Sequence, residues 1–265
     1  MIRDITLGQY YPVESVIHRL DPRVKIIGTF IYLIMLFFVK SFLGFLFVAA
    51  VLAMVIAASK VKPSFIARGL KPIFFILVFT FIINMFMYKG TVLFSLGPLS
   101  VTDTGLSFAT FLAVRLILLI FGTSLLTYTT KPMQLTDGFE AILRPFSKIG
   151  IPAHEIALMM SIALRFIPTL LDETDKIMKA QQARGADFET GNIFHRVKSM
   201  LPLLVPLFIS AFRIAQDLAM AMEARCYAGG VGRTRLNPMK YSRRDFAAYV
   251  LIIVYAICII GVHYI

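Results

Sequence analysis

The chain has 265 residues, 58% of them hydrophobic and only 16% charged, whereas a soluble domain is about one quarter charged. Its mean hydropathy is +0.79. These figures exclude a soluble cytosolic enzyme, a disordered tail and a secreted disulfide scaffold, and the length suits one membrane domain with an added module. Basic residues outnumber acidic ones 27 to 15, a net charge of +12, which in a membrane protein is read first as topology. Cys226 and Cys258 form no C-x-x-C, and His18, His154, His195 and His263 are scattered. Neither a disulfide nor a metal centre is indicated, and no cofactor is expected.

In chain order, the first 25 residues carry Arg3, Arg19, Arg23 and Lys25 without an apolar run, unlike a cleavable signal peptide. Residues 26–58 then hold a single charge, Lys40. One helix of that length would reach about 50 Å, against a hydrocarbon core of about 30 Å. The pattern therefore predicts two short spans, 26–39 and 42–58, parted at Lys40-Ser41. Further spans are predicted over 73–88, 105–130 and 246–265, the fourth interrupted by Arg115. Burying that guanidinium costs at least ~2.5 kcal/mol. A bond to another span, with Asn84 as a candidate mate, snorkelling, or a partner contact would each offset the cost.

Between the fourth and fifth spans, residues 131–245 hold 16 of the 27 basic and 11 of the 15 acidic residues. Leu, Ile, Met and Ala still recur there at helical spacing, the pattern of long amphipathic helices outside or at the edge of the bilayer. The expected organisation is a membrane domain of four spans (1–130), a cytoplasmic module (131–245) and a final transmembrane helix (246–265). The fold class is thus an all-α integral membrane protein with about five transmembrane helices and two long crossing cytoplasmic helices. The loop 59–72 carries Lys60, Lys62, Arg68 and Lys71 without an acid, and the loop 89–104 carries only Lys89 and Asp103. The positive-inside rule puts the N-terminus, the 59–72 loop and 131–245 in the cytosol and the C-terminus outside.

Within 131–245 a short helix over about 135–143 is stopped by Pro145. A long helix starts at Ile151-Pro152-Ala153 and ends at Arg184, before Gly185, a reach of roughly 46 Å. A second starts after Gly191-Asn192 and runs to Ala224-Arg225, with Gly229-Gly230 beyond it. Pro168, Pro202 and Pro206 should kink these arms. Ala153, Ala157 and Ser161 form a small-residue stripe on the first arm, and Ala211, Ala215 and Ala219 one on the second. Such stripes allow close crossing, of Ala157 and Ser161 against Ala211 and Ala215; high helix propensity of Ala is the plainer source of the pattern.

A nucleotide-binding loop G-x-x-x-x-G-K-[ST] is absent, so the chain has no phosphate cradle of its own. Asp172, Glu173 and Asp175 could form the metal-binding cluster of a membrane-embedded metal-dependent enzyme, the alternative function. The cluster stands alone, however. Asp172 with Lys176 and Asp175 with Lys179 have the i,i+4 spacing of a solvated helix face.

Several segments together resemble the transmembrane T component of energy-coupling factor transporters. They are Leu164-Arg165-Phe166-Ile167-Pro168-Thr169-Leu170, Gln181-Gln182-Ala183-Arg184-Gly185, and Ala211-Phe212-Arg213 with Glu223-Ala224-Arg225-Cys226. His18-Arg19-Leu20-Asp21-Pro22-Arg23 and Thr129-Thr130-Lys131-Pro132 are similar to the same family, so the resemblance covers essentially the whole chain. It implies a non-catalytic scaffold of a vitamin or transition-metal importer of the ABC superfamily. Its partners would be two cytoplasmic ATPases, a substrate-binding membrane S component and the lipid bilayer, with no nucleic acid. It also implies that the two arms are coupling helices, each ending in an Ala-Arg-Gly motif whose Arg enters a groove on one ATPase. The carried-over ATPase-binding residues are Ala183, Arg184, Gly185, Ala224, Arg225 and Cys226, with Cys226 departing from the usual Gly. Ala67-Arg68-Gly69 repeats the motif with no long arm before it and is read as coincidence. Met159, Met160, Met200, Met220 and Met222 are flexible, polarizable side chains able to repack against S components of differing sequence; gap-filling in an apolar core is their plainer role.

Overall fold

The computed structural model describes residues 10–88, 90–96, 99–150, 152–186, 188, 192–229 and 238–264. Arg3, Lys89, Ile151, Gly191 and Gly230 lie outside them. The described residues are mostly helical, and the chain divides into two compact units, one of Gly8–Ile142 with Met239–Ile265 and one containing Leu143–Pro238.

The first unit contains α1 (Pro22–Phe38), α2 (Phe42–Ser59), the one-turn-and-a-half α3 (Pro63–Arg68), α4 (Phe74–Met87), α5 (Asp103–Thr129), α6 (Pro132–Leu143) and α9 (Arg243–Tyr264). The break expected at Lys40-Ser41 is there, and its cause is local. Ser41 turns extended, and its hydroxyl accepts the Gly44 N–H at 3.2 Å, capping α2. At the other end Lys60 takes a left-handed conformation, φ 57°, and closes α2. The hinge is further held by Arg115 of α5, whose Nη2 donates to the Val39 carbonyl at 2.9 Å. Its guanidinium lies 5.6 and 5.7 Å from the Phe37 and Phe45 rings, a favourable position for a desolvated cation. Asn84, the mate expected from sequence, donates instead to Thr80 O within its own helix.

α5 is the axis of this unit, packing against α1, α2, α3 and α4, while α1 also runs beside α9. Leu36, Val39, Phe45, Val48, Leu52, Leu118, Tyr255 and Ile259 form its main core, and Val61, Ile66, Leu125 and Tyr128 a second one. Gly122 makes the α1–α5 approach feasible, since a Cβ there would lie 2.3 Å from Tyr32 Cε1. Tyr32 reaches past it to donate to Leu118 O at 2.9 Å. An antiparallel hairpin of β1 (Val92–Leu96) and β2 (Leu99–Thr102) joins α4 to α5 where sequence suggested only a loop. Thr102 ends it and caps α5, its hydroxyl donating to Tyr88 O and accepting the Gly105 N–H.

Ahead of α1, His18 is held by two bonds. Its Nε2 donates to Tyr11 O at 3.0 Å, and its Nδ1 shares a hydrogen bond of 2.7 Å with the Ser15 hydroxyl. Burial pushes the pKa of the ring below the ordinary value, with nearby Lys25 adding in the same direction.

Five helices among the described residues are long and apolar enough to cross a membrane: α2, α5, the two arms described below, and α9. This set differs from the five predicted spans. α1 and α4 have 17 and 14 residues, short of the roughly 20 that a full crossing takes, while both arms are long enough. Length and composition count apolar residues without asking whether they form one face. The sequence reading set the arms apart because polar residues recur along them.

Candidate functional site

The second unit is built on α7 (Ala153–Ala183) and α8 (Ile193–Ala224), of 31 and 32 residues, preceded by a 3-10 turn over Arg144–Ile149. Each arm spans roughly 46–48 Å. Pro168 lies inside α7, and Pro202 and Pro206 inside α8. The arms pack on one another. Ala153 and Ala157 are buried, Ser161 and Ala211 half-buried, while Ala215 and Ala219 are exposed. The small stripe on α7 is thus buried at Ala153 and Ala157 and only half-buried at Ser161, and the one on α8 is exposed after Ala211.

The two arms end in the same way. On α7, Arg184 leaves the helix at φ −89°, ψ 6°, and Gly185 follows in the left-handed region at φ 90°. The Gly185 N–H donates to Gln182 O at 2.9 Å and the Ala186 N–H to Gln181 O at 3.0 Å. On α8, Arg225 leaves at φ −97°, ψ 15°, and Cys226 follows at φ 54°. The Cys226 N–H donates to Glu223 O at 2.8 Å and the Tyr227 N–H to Met222 O at 3.0 Å. Both are Schellman closures, with paired bonds from the two residues after the cap to the second and third residues before it. The arginine occupies the capping position in each. Cys226 therefore does the turn that Gly185 does, despite its Cβ. Arg184 and Arg225 are exposed, and neither is in an ion pair among the described residues.

Arg68 is also exposed, but its helix ends differently. It ends a helix of six residues, Gly69 after it has φ −63°, and its guanidinium lies 4.6 Å over the Phe65 ring. The three-letter motif recurs, but the left-handed closure does not.

The acidic stretch on α7 does not form a metal-binding group: among the described residues no three His, Cys, Asp or Glu side chains are placed to hold a metal. Lys176 is 3.4 Å from Glu173, an i,i+3 pair, rather than pairing with Asp172 as the spacing suggested. Asp172 is exposed.

The predicted docking methionines separate. Met159, Met160, Met200 and Met220 are exposed, whereas Met222 is half-buried, its carbonyl part of the α8 closure. The neighbouring Leu and Phe residues extend this surface. Leu201, Leu204, Val205, Phe208, Ile209 and Phe212 are 56–66% exposed. Their spacing of three and four residues makes one continuous apolar face on α8. Phe208 and Phe212 meet edge to face at 4.8 Å. The signal was present as a row of large apolar residues, but sequence cannot tell a buried row from an exposed one.

The family model described as cobalt transport protein (CbiQ) matches residues 13–236. The energy-coupling factor transporter transmembrane protein EcfT of Clostridium kluyveri is 58% identical over 250 residues, covering 94% of this chain and 93% of the relative. That of Thermosediminibacter oceani is 55% identical over 249 residues, covering 94% of each. That of Bacillus subtilis is 45% identical over 257 residues, covering 97% of each. With its apolar helices and these matches along nearly its whole length, the chain belongs to the family of energy-coupling factor transporter transmembrane proteins, multi-pass components of the membrane.

Proposed function

We propose that the chain is the scaffold subunit of an ATP-driven energy-coupling factor importer of the cell membrane. It would join two cytoplasmic ATPases to a membrane S component that binds the cargo, a vitamin or a cobalt or nickel ion, and hydrolyse no ATP itself. Residues 131–245 and the N-terminus face the cytosol, and the C-terminus faces outward. The observation that carries this reading is the matched pair of arm ends. Two successive long helices close with the same geometry, and each presents an exposed arginine at the closing residue.

The chemistry suits plug-like contacts. A guanidinium is always charged and offers five donors in a planar fork that fits carboxylates and carbonyl rims. A cation at a helix C-terminus gains up to about 1 kcal/mol from the helix dipole wherever it sits, so one such residue means little. Two at matched ends of long arms serve two equivalent partners. The exposed apolar face of α8, with Met159, Met160, Met200 and Met220, is the surface on which the S component rests. Approach of the ATPases on nucleotide binding shifts the arms, and the S component tilts with them.

The test is Arg184→Glu with Arg225→Glu in cells that also express both ATPases and an S component. The pair is expected to abolish co-purification of the ATPases, and Arg68→Glu to leave it intact. Undiminished ATPase capture by the double variant would overturn the assignment. A reporter fused after Ile265 that reads cytoplasmic would overturn the orientation.

A further inference from the structure

The head of α1 makes three long-range hydrogen bonds within one turn. The Asp21 N–H donates to Asp245 Oδ1 at 2.8 Å, across 224 residues of sequence. The Arg23 Nη2 donates to Met239 O at 3.3 Å, across 216 residues, and its guanidinium lies 4.8 Å over the Tyr241 ring. The Lys25 Nζ donates to Thr129 O at 2.9 Å, across 104 residues, and to His18 O at 3.1 Å. α6 lies against the same turn: a Cβ at Gly138 would come within 2.8 Å of Ile26 Cδ1 and 3.2 Å of Pro22 Cβ.

The partners of these bonds share one property. Thr129 ends α5, and from there the chain runs through α6 and out to residues 143–238. Met239 to Asp245 is where it comes back and starts α9. The outgoing and the returning connection of the arm-bearing unit are therefore both fastened to Asp21, Arg23 and Lys25. The returning one is rigid in itself, because Asp245 Oδ2 also accepts the Ser242 N–H at 2.7 Å and the Ser242 hydroxyl at 2.8 Å. Lys25 is 7% exposed, and a desolvated ammonium held by carbonyls contributes little to stability for its cost. What it does supply is a fixed position for Thr129.

We propose that the head of α1 is the anchor through which motion of residues 143–238 reaches the membrane helices, with Lys25 as the positioning residue that fixes the outgoing connection. Asp21 and Arg23 fix the returning one. With both connections held on one turn, displacement of the arms pulls on α1 as a body. With one released, the linker takes up the motion and the energy of ATP binding is spent without moving the membrane helices. The inference rests on the transporter reading above.

The experiment uses the whole complex in proteoliposomes, with ATP hydrolysis and cargo uptake measured on the same preparation. Lys25→Met is expected to keep subunit stoichiometry and ATP hydrolysis and to lower uptake per ATP by about tenfold, within the range of coupling changes that single residues produce. Lys25→Arg, which can still donate to the Thr129 carbonyl, is expected to recover most of the ratio. A purely structural role would lower the yield of complex and leave the ratio per assembled complex unchanged. If Lys25→Met does not assemble, Arg23→Gln carries the same test at the returning connection, with a smaller fall in the ratio. Wild-type uptake per ATP in either assembled variant overturns the proposal. A wild-type chain that captures no ATPase overturns the transporter reading instead.

Discussion

Cys226→Gly should tighten the end of the second arm, and the mirror change Gly185→Ala should loosen the first. The left-handed conformation costs an L-residue roughly 1–2 kcal/mol. At φ 54° Cys226 sits near the centre of that well, so the lower figure applies. Glycine removes the cost but loses about 0.5 kcal/mol or more to the freedom of its unfolded backbone. The net gain is then at most about 0.5 kcal/mol, or about twofold in the local closing equilibrium. At Gly185 no atom lies within 4 Å of an added Cβ, so Gly185→Ala carries no clash and its loss, about 1 kcal/mol, is wholly conformational. Amide hydrogen exchange on the purified complex reads this directly. The N–H groups of residues 226 and 227 should exchange up to about twofold more slowly in Cys226→Gly, and those of residues 185 and 186 about fivefold faster in Gly185→Ala. Slower exchange at 185–186 in the alanine variant, or faster exchange at 226–227 in the glycine variant, would refute the left-handed closures.

Gly122→Ala should lower the unfolding temperature in detergent, because the new methyl meets the Tyr32 ring at 2.3 Å. Overpacking of this kind costs about 1–3 kcal/mol. The N-terminal segment should loosen in acid. His18 has a lowered folded pKa, so the unfolded state binds the extra proton. The stabilisation is complete above about pH 6.5 and disappears as pH falls through the folded value. Limited proteolysis between pH 5 and 8 should follow that course and become pH-independent in His18→Asn. Ala157→Leu should destabilise the arm unit by more than 1 kcal/mol, because Ala157 is 4% exposed; Ala215→Leu, at an exposed position, should cost less than about 0.5 kcal/mol. Thermal melts of the two variants provide the comparison.

Features governed by neighbouring residues were legible in the sequence. The break after Phe38 follows from Lys40 and a capping Ser41. The end of α7 at Ala183 follows from a glycine two residues on. The end of α8 at Ala224 was legible from the fading helical pattern at Ala224-Arg225 and from Gly229-Gly230 beyond it. The α6 start was placed three residues late, at Leu135, since Pro132 was not recognised as its first-turn residue. The hairpin of residues 92–102 was missed because two strands of four and five residues leave little periodicity to detect. Most hidden of all were the bonds of Asp21, Arg23 and Lys25. Their partners lie more than a hundred residues away and are mostly backbone carbonyls, which carry no residue identity to read.

The matched arm ends differ in one atom of practical use. Only the second carries a thiol, and it is solvent-exposed. With Cys258 replaced by serine, a maleimide dye would mark that rod tip and not its twin. A probe placed there reports on the second arm end separately from the first, so the two ends of one subunit can be told apart in the same sample.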